Sequence, residues 1–119
     1  MSAPPAADCV FCRIVRGEIP AKLLFETGRV IAFDDLRPQA PVHVLVIPKA
    51  HFASLNDVPE GSEDLLGELL LAARRAAREK GVAETGYRVV LNTARDSGQD
   101  VLHIHFHVLG GRRLGWPPG

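Results

Sequence analysis

Three of the five histidines in this 119-residue chain fall at alternate positions, His103, His105 and His107. Successive side chains of a β-strand point to opposite faces of a sheet. A strand over residues 103–109 would therefore place the three imidazoles in one row and the apolar residues between them against the core. A neutral imidazole can attack an electrophile, transfer a proton or bind a metal ion, so this row is the first candidate for chemistry.

The row permits three interpretations. A sheet face that is rich in histidine by chance would explain one such residue, but three in register make this the weakest of the three. A three-histidine metal site is the second, because imidazole is a common zinc ligand. The third is nucleophilic catalysis by one imidazole, while its neighbours fix the tautomer and supply protons.

Both cysteines of the chain form a second group, Cys9-Val-Phe-Cys12. This spacing is typical of half a zinc site, although a closed structural site needs four ligands. The pair lacks the preceding strand and the βαβ context of a thioredoxin-like redox motif, which disfavours redox chemistry. Packing of Cys12 as a small apolar side chain is the remaining alternative.

The elements that must position these residues are predicted from hydrophobic periodicity. Apolar spacing predicts a short helix over 11–16 and a long helix that starts near Ser62 and stops at Gly81. The stretch 42–47 is almost wholly apolar and β-branched, as in a central strand, and Pro48 ends it. Together the elements predict an α+β domain with a five-stranded antiparallel sheet in hairpin-like order, one long helix and one or two short helices. The predicted strands are 22–26, 29–33, 42–47, 87–92 and 103–109.

Composition limits the class of protein. The length fits one domain, predicted over residues 9–119 after a disordered lead-in over 1–8. A formal net charge of zero gives no reason to expect nucleic acid or an anionic membrane as a partner. No stretch resembles a membrane span or a secretory signal, so a cytoplasmic location is expected. Trp116 lies in a proline-rich tail and is expected to pack against the domain.

The chain resembles the histidine triad family. The stretch His103-Ile-His-Phe-His-Val-Leu109 matches the alternating histidine and apolar signature of that family, which implies its HIT-like fold. Further stretches are similar to its nucleotide-binding branch, the Hint proteins, over about residues 8–119. They are Ile19-Pro-Ala-Lys22, Pro38-Gln-Ala-Pro41, Leu45-Val-Ile-Pro-Lys49, Gly98-Gln99, and Val108-Leu-Gly-Gly-Arg112 with Trp116-Pro-Pro-Gly119.

The resemblance implies a hydrolase of purine nucleoside 5′-phosphoramidates that needs no cofactor for catalysis and forms a homodimer. His105 would attack the α-phosphorus and form a nucleotidyl-histidine intermediate, which water then hydrolyses. The backbone carbonyl of His103 would hold the other ring nitrogen of His105 protonated, and His107 would donate to a phosphate oxygen. His43 is the fourth histidine that the family keeps beside the row.

The resemblance also implies a site for purine nucleoside monophosphates and phosphoramidates. Asp35 corresponds to an aspartate that binds the ribose, although an aspartate before Pro38 can also serve to form a turn. Phe33 and Leu36 would pack on the base. The residues implied to hold the phosphate or to order the loop around it are Asn92, Gly98 and Gln99. Val101, His105 and His107 are also assigned to the nucleotide site.

Asp100 departs from the family pattern, which has a serine that donates to the phosphate or to the leaving group. An ionised aspartate cannot donate a hydrogen bond and repels a phosphate. Asp100 is therefore assigned to the nucleotide site, but the role of the serine is not transferred to it.

Several bacterial members of the wider family complete a zinc site with two histidines that correspond to His51 and His103. A structural zinc ion on Cys9, Cys12, His51 and His103 is therefore expected. Two other functions stay open on the sequence alone. One is a dinucleoside polyphosphate hydrolase or nucleotidyl transferase of the same fold, and the other is a nucleotide-binding scaffold whose turnover is incidental.

Overall fold

A computed structural model describes residues 8–119, so the predicted disordered lead-in, apart from Asp8, lies outside the described residues. The predicted α+β class, the five-stranded antiparallel sheet and the long helix are confirmed. Short 3₁₀ turns lie at Leu55–Asp57 and Arg95–Ser97. The helices and strands are α1 (Val10–Val15), β1 (Leu23–Glu26), β2 (Val30–Asp34), β3 (Val42–Pro48), α2 (Glu63–Glu79), β4 (Tyr87–Leu91) and β5 (Phe106–Gly110).

The strand order of the sheet is β1-β2-β3-β5-β4, and every neighbouring pair is antiparallel. Strand β3 is central, as its continuous apolar sequence predicts. The expected hairpin-like order is only partly right, because β5 rather than β4 pairs with β3. This order places His107 between Leu45 of β3 and Val90 of β4.

Alternation along the strands divides the core into two layers. Val44 of β3 and Val108 of β5 pack with Leu69 of α2 on one face of the sheet. Leu45 packs with Phe11 of α1 on the other face. Burial of each such aliphatic or aromatic side chain contributes roughly 1.5–3 kcal/mol. The odd-numbered positions of β3 and β5 therefore share the α1 face, where the histidines of these strands also lie.

The predicted strand over 103–109 is too long, because β5 begins at Phe106. Pro48, the last residue of β3, has no N–H with which to extend the ladder. Its carbonyl oxygen already accepts a hydrogen bond from His103 Nε2 at 2.9 Å. Strand β4 also ends opposite Phe106. Residues 103–105 therefore leave the sheet, and the three histidines do not form one row.

The outer strand β4 carries exposed apolar side chains. Tyr87 and Val89 are both exposed on it. Trp116 does not pack as expected: its side chain is 80% exposed, and the guanidinium of Arg88 lies 5.8 Å from its ring centroid. Within residues 8–119, no helix combines the length and the apolar character that crossing a membrane requires.

Candidate active site and metal site

His105 is buried in the segment that leads into β5. Its Nδ1–H donates to the backbone carbonyl of His103 at 2.7 Å. Because a carbonyl oxygen only accepts, the proton lies on Nδ1, and the neutral ring keeps its lone pair on Nε2. This Nε2 atom lies 3.6 Å from Oδ1 of Asp100.

A chain of hydrogen bonds fixes the proton of His107. The backbone N–H of Gln39 donates to His43 Nδ1 at 3.0 Å, so the proton of neutral His43 lies on Nε2. His43 Nε2–H donates to His107 Nδ1 at 2.8 Å, which leaves the His107 proton on Nε2. Among the described residues, buried His107 Nε2 has no hydrogen-bond partner. A buried N–H without a partner is costly, and a ligand oxygen would satisfy it.

Burial keeps these rings neutral. It is the main cause that lowers the pKa of His107 to about 4, and repulsion from His105 and His43 acts in the same direction. Burial also lowers the pKa of His43, against the opposing effect of Asp35, whose Oδ2 lies 3.4 Å from His43 Nε2. At neutral pH both rings are therefore uncharged and hold the tautomers described above.

A cavity of about 460 Å³ opens beside His105 and His107. Phe33, which is buried, and Leu36, which is 83% exposed, lie on its wall. Asp35 is also on the wall, and its Oδ1 accepts a hydrogen bond from the backbone N–H two residues later at 2.8 Å. The expected turn is thus present at Oδ1, while Oδ2 lies on the histidine side. A mostly apolar wall with a few convergent polar groups suits a small ligand that has one flat apolar end and one polar end.

Only some of the residues that were assigned to the nucleotide site in the loop before β5 line the cavity. Both ends of the Gln99 side-chain amide bond backbone groups of nearby loops at 2.7–3.0 Å, so this side chain orders the loop. Gly98 has a φ of +83°, in the left-handed region that favours glycine. Asp100 and Val101 line the cavity beside His105 and His107, whereas Asn92 and Gly98 do not.

A second cluster brings together two sulfur atoms and two ring nitrogens, from Cys9, Cys12, His51 and His103. Cys9 caps helix α1 and Cys12 lies in its first turn. His103 Nδ1 lies 3.4 Å from Cys9 Sγ and 3.2 Å from His51 Nδ1, and Cys12 Sγ lies 3.2 Å from His51 Nδ1. All four atoms are within 4.8 Å of one another. Ligand atoms around one tetrahedral zinc ion are roughly 3.3–3.8 Å apart at the usual bond lengths, so the spacing fits such a site.

The protonation of His103 also fits a metal ligand. Its Nε2–H donates to the carbonyl of Pro48, which leaves the lone pair on Nδ1, the atom that faces the two cysteines. Burial lowers the pKa of His103 to about 4, so the ring is neutral, as a metal ligand must be. The cluster of Cys9, Cys12, His51 and His103 is therefore buried, convergent and able to bind zinc.

A second group, Asp35, His43 and His107, also brings three ligand atoms together. It does not fit a metal ion, because His43 Nε2 carries a proton and donates it to His107 at 2.8 Å. Two ligand nitrogens of one zinc ion would lie roughly 3.3 Å apart. This group is a hydrogen-bonded chain rather than a ligand set.

Two contributors to the site were missed at the sequence level. The backbone N–H of Gln39 sets the His43 tautomer, and a backbone group leaves no side-chain signal. The ring of Phe11 lies edge-on to His105 and His103, at centroid distances of 5.2 and 5.8 Å. Its only signal was the apolar face of the short helix α1.

Comparison with known proteins gives consistent matches. The model of the HIT domain matches residues 16–114, which include His43 and all three clustered histidines. The purine nucleoside phosphoramidase of Escherichia coli K12 is 44% identical over 110 residues, which are 92% of each chain. A HIT family hydrolase from Legionella pneumophila Philadelphia 1 has a TM-score of 0.91 and 50% identity, over 94% of this chain and 100% of that one. A histidine triad protein from Clostridium difficile has a TM-score of 0.90 and 44% identity, over 94% and 97%.

Proposed function

Because this chain belongs to the HIT domain family, we propose that it hydrolyses purine nucleoside 5′-phosphoramidates through a nucleotidyl-histidine intermediate. Its similarity to a purine nucleoside phosphoramidase supports this reaction class. The observation that carries the proposal is the 2.7 Å hydrogen bond from His105 Nδ1 to the His103 carbonyl. In the neutral ring, this bond leaves the nucleophilic lone pair on Nε2.

The reaction divides into two displacements at phosphorus. In the first, the substrate nitrogen takes up a proton from solvent, His105 Nε2 attacks, and a bond from Nε2 to phosphorus forms. The P–N bond of the substrate breaks, and the neutral amine departs. The His103 carbonyl stabilises the positive charge that the His105 ring acquires, because it accepts from Nδ1–H. His107 Nε2–H donates to a phosphate oxygen where negative charge develops. In the second, water attacks phosphorus and loses a proton to solvent, the bond between phosphorus and His105 Nε2 breaks, and the nucleoside monophosphate leaves the restored neutral ring.

The cavity wall supplies the nucleoside contacts in this proposal. Phe33 and Leu36 would pack on the base, and Asp35 would accept from the ribose hydroxyls, since an ionised carboxylate can accept from two donors. Val101 lines the same cavity, so it would also contact the nucleotide. Gln99, with Gly98 and Asn92, would act by ordering the loop around the phosphate.

We also propose that Cys9, Cys12, His51 and His103 hold a structural zinc ion. The metal would tie helix α1 and the residue 51 region to the segment that precedes β5, and it supplies no bond-making chemistry. The chain's own part is the position of the His103 carbonyl, which accepts from His105. No metal is required for catalysis.

A homodimer and a cytoplasmic location complete the proposal. Strand β4 is an outer strand of the sheet and carries the exposed side chains of Tyr87 and Val89, with Trp116 nearby. An exposed apolar edge of this kind favours association with a second copy. Val89→Arg should therefore shift the molar mass measured by light scattering from a dimer to a monomer. A wild-type monomer at micromolar concentration would contradict the dimer.

The test of function is steady-state hydrolysis of a fluorogenic adenosine phosphoramidate by the wild type and His105→Ala. We expect turnover that falls by orders of magnitude in the variant, while calorimetry shows that AMP still binds. Rapid quenching of the wild type followed by mass spectrometry should show a covalent adenylate that His105→Ala lacks. Nucleotide binding by the wild type without turnover would favour the scaffold function instead.

A further inference from the structure

We propose that Asp100 makes this site select substrates by the charge of the leaving group. Amines with a cationic substituent would be favoured, and anionic leaving groups such as phosphate or pyrophosphate would be disfavoured. This inference rests on the proposed function and extends it from the reaction class to the group that departs.

Asp100 lies on the cavity wall beside the nucleophilic His105. Successive contacts run from Asp35 to His43 at 3.4 Å, from His43 to His107 at 2.8 Å, from His107 to His105 at 4.9 Å between ring centroids, and from His105 to Asp100 at 3.6 Å. In an in-line displacement the leaving atom lies beyond the phosphorus, opposite His105 Nε2. With the nucleoside at the Asp35 end, the rest of the leaving group would extend along the cavity towards the exposed Asp100 end, where the carboxylate acts on its charge through space.

Within residues 8–119, no lysine or arginine forms an ion pair with the Asp100 carboxylate. Its side chain is 78% exposed. By contrast, Asp34 on the same cavity wall is paired with Lys80 at 2.8 Å. Arg37 also lies on the wall, but it follows the ribose-binding aspartate by two residues and so belongs to the opposite end.

The repulsion between Asp100 and the α-phosphate is common to all substrates, so it cancels when leaving groups are compared. A unit charge about 6 Å from an exposed carboxylate, in a medium close to bulk water, changes the rate constant roughly threefold. Charges of opposite sign on the leaving group should therefore differ about tenfold. Because the carboxylate is exposed, added salt should screen the effect, with a Debye length of about 3 Å at 1 M.

Three adenosine 5′-phosphoramidates provide matched probes. Their amines are pentylamine, 1,5-diaminopentane and 5-aminopentanoate, which share one chain and differ in the charge at its end. The measurement is kcat/KM for each at low ionic strength, in the wild type, Asp100→Asn and Asp96→Asn. Asp96 is 88% exposed and lies in the preceding 3₁₀ turn, so it controls for a general change in net charge.

The expected result is a ratio of kcat/KM for the cationic over the anionic substrate that is about tenfold higher in the wild type than in Asp100→Asn. Asp96→Asn should keep the wild-type ratio, and 1 M salt should remove most of the difference. An unchanged ratio in Asp100→Asn, with all three substrates hydrolysed, would overturn the inference and leave the proposed function intact. An equal change in Asp96→Asn would also overturn it. If the wild type hydrolyses none of the three, the proposed function itself fails.

Discussion

The tautomer of His107 is controlled by His43, so two substitutions of His43 should have different effects on catalysis. Asn is too short to replace the Nε2–H of His43, whereas the amide nitrogen of Gln lies at a similar distance from the backbone. His43→Asn should therefore lose the donor that contacts His107 Nδ1 at 2.8 Å, and His43→Gln should keep one. Activity should fall strongly in the first variant and much less in the second.

The magnitude follows from what His107 loses. Without a donor at Nδ1, the ring can take the other tautomer and present a lone pair, rather than its proton, at Nε2. A hydrogen bond to a charged group contributes roughly 1.5–3 kcal/mol. Since about 1.36 kcal/mol corresponds to a tenfold change in rate, His43→Asn should lower kcat/KM by roughly 10- to 150-fold.

The assay is hydrolysis of an adenosine phosphoramidate at neutral pH, combined with ¹⁵N NMR of the histidine rings. In the wild type the His107 proton should lie on Nε2, and in His43→Asn the spectrum should show a mixture of tautomers. The melting temperatures of both variants are measured as well, because Asn Oδ1 lies near the position of His43 Nδ1 and keeps an acceptor for the Gln39 N–H, whereas Gln does not. Equal activities for the two variants would refute the reasoning, as would a wild-type His107 that is protonated on Nδ1.

Three further predictions concern the metal, the pH dependence of stability, and the backbone. Protein purified without a chelator or a histidine tag should contain close to one equivalent of zinc, and its removal should lower the melting temperature; metal content far below one equivalent would contradict the cluster. The pKa of His107, about 4, lies below its ordinary value of 6.5, so between these pH values the unfolded chain binds a proton that the folded chain does not. Stability should therefore fall as the pH is lowered from 6.5 to 4, by roughly 1–2 kcal/mol for this partly exposed ring, and urea unfolding should show a smaller fall in His107→Gln. Gly111→Ala should destabilise the fold by at least about 1–2 kcal/mol, because φ is +89° and the new Cβ would lie 2.9 Å from Pro41 Cβ. Gly67→Ala in α2 should instead raise the stability by about 0.5–1 kcal/mol, because the new Cβ would meet no atom within 4 Å beyond its own stretch of helix. Thermal unfolding checks both variants, and a change of the same sign in the two would contradict one of these predictions.

The class of fold followed from the sequence because apolar spacing records burial directly. The continuous apolar run of β3 reflects a strand covered on both faces, by α2 on one and α1 on the other. The position of β5 between β3 and β4 had no such signal, because strand order depends on pairing between segments that are far apart in the chain.

The histidine row shows why the site was only partly predictable. Alternation over 103–107 is compatible with a strand, but the sheet ends where Pro48, distant in sequence, lacks an N–H. That single residue separates the His103 ring from His105 and His107 and directs it to the cysteines. The resemblance left open whether Gln99 binds the phosphate or orders the loop, because the choice depends on a backbone carbonyl far away in the chain. The role of the Gln39 N–H could not be predicted, because a backbone group has no side-chain signal. Trp116 is exposed, since none of residues 8–119 covers it.

The order of the strands has a consequence for how the protein is made. Strand β5 is the last strand in the chain, yet it fills the gap between β3 and β4. While the chain is being synthesised, these two strands therefore expose unpaired backbone groups that another chain can bind. The event that closes this gap also brings His107 to His43. Enzymatic activity would therefore report the completion of folding, and a nascent chain halted before β5 should need chaperone protection.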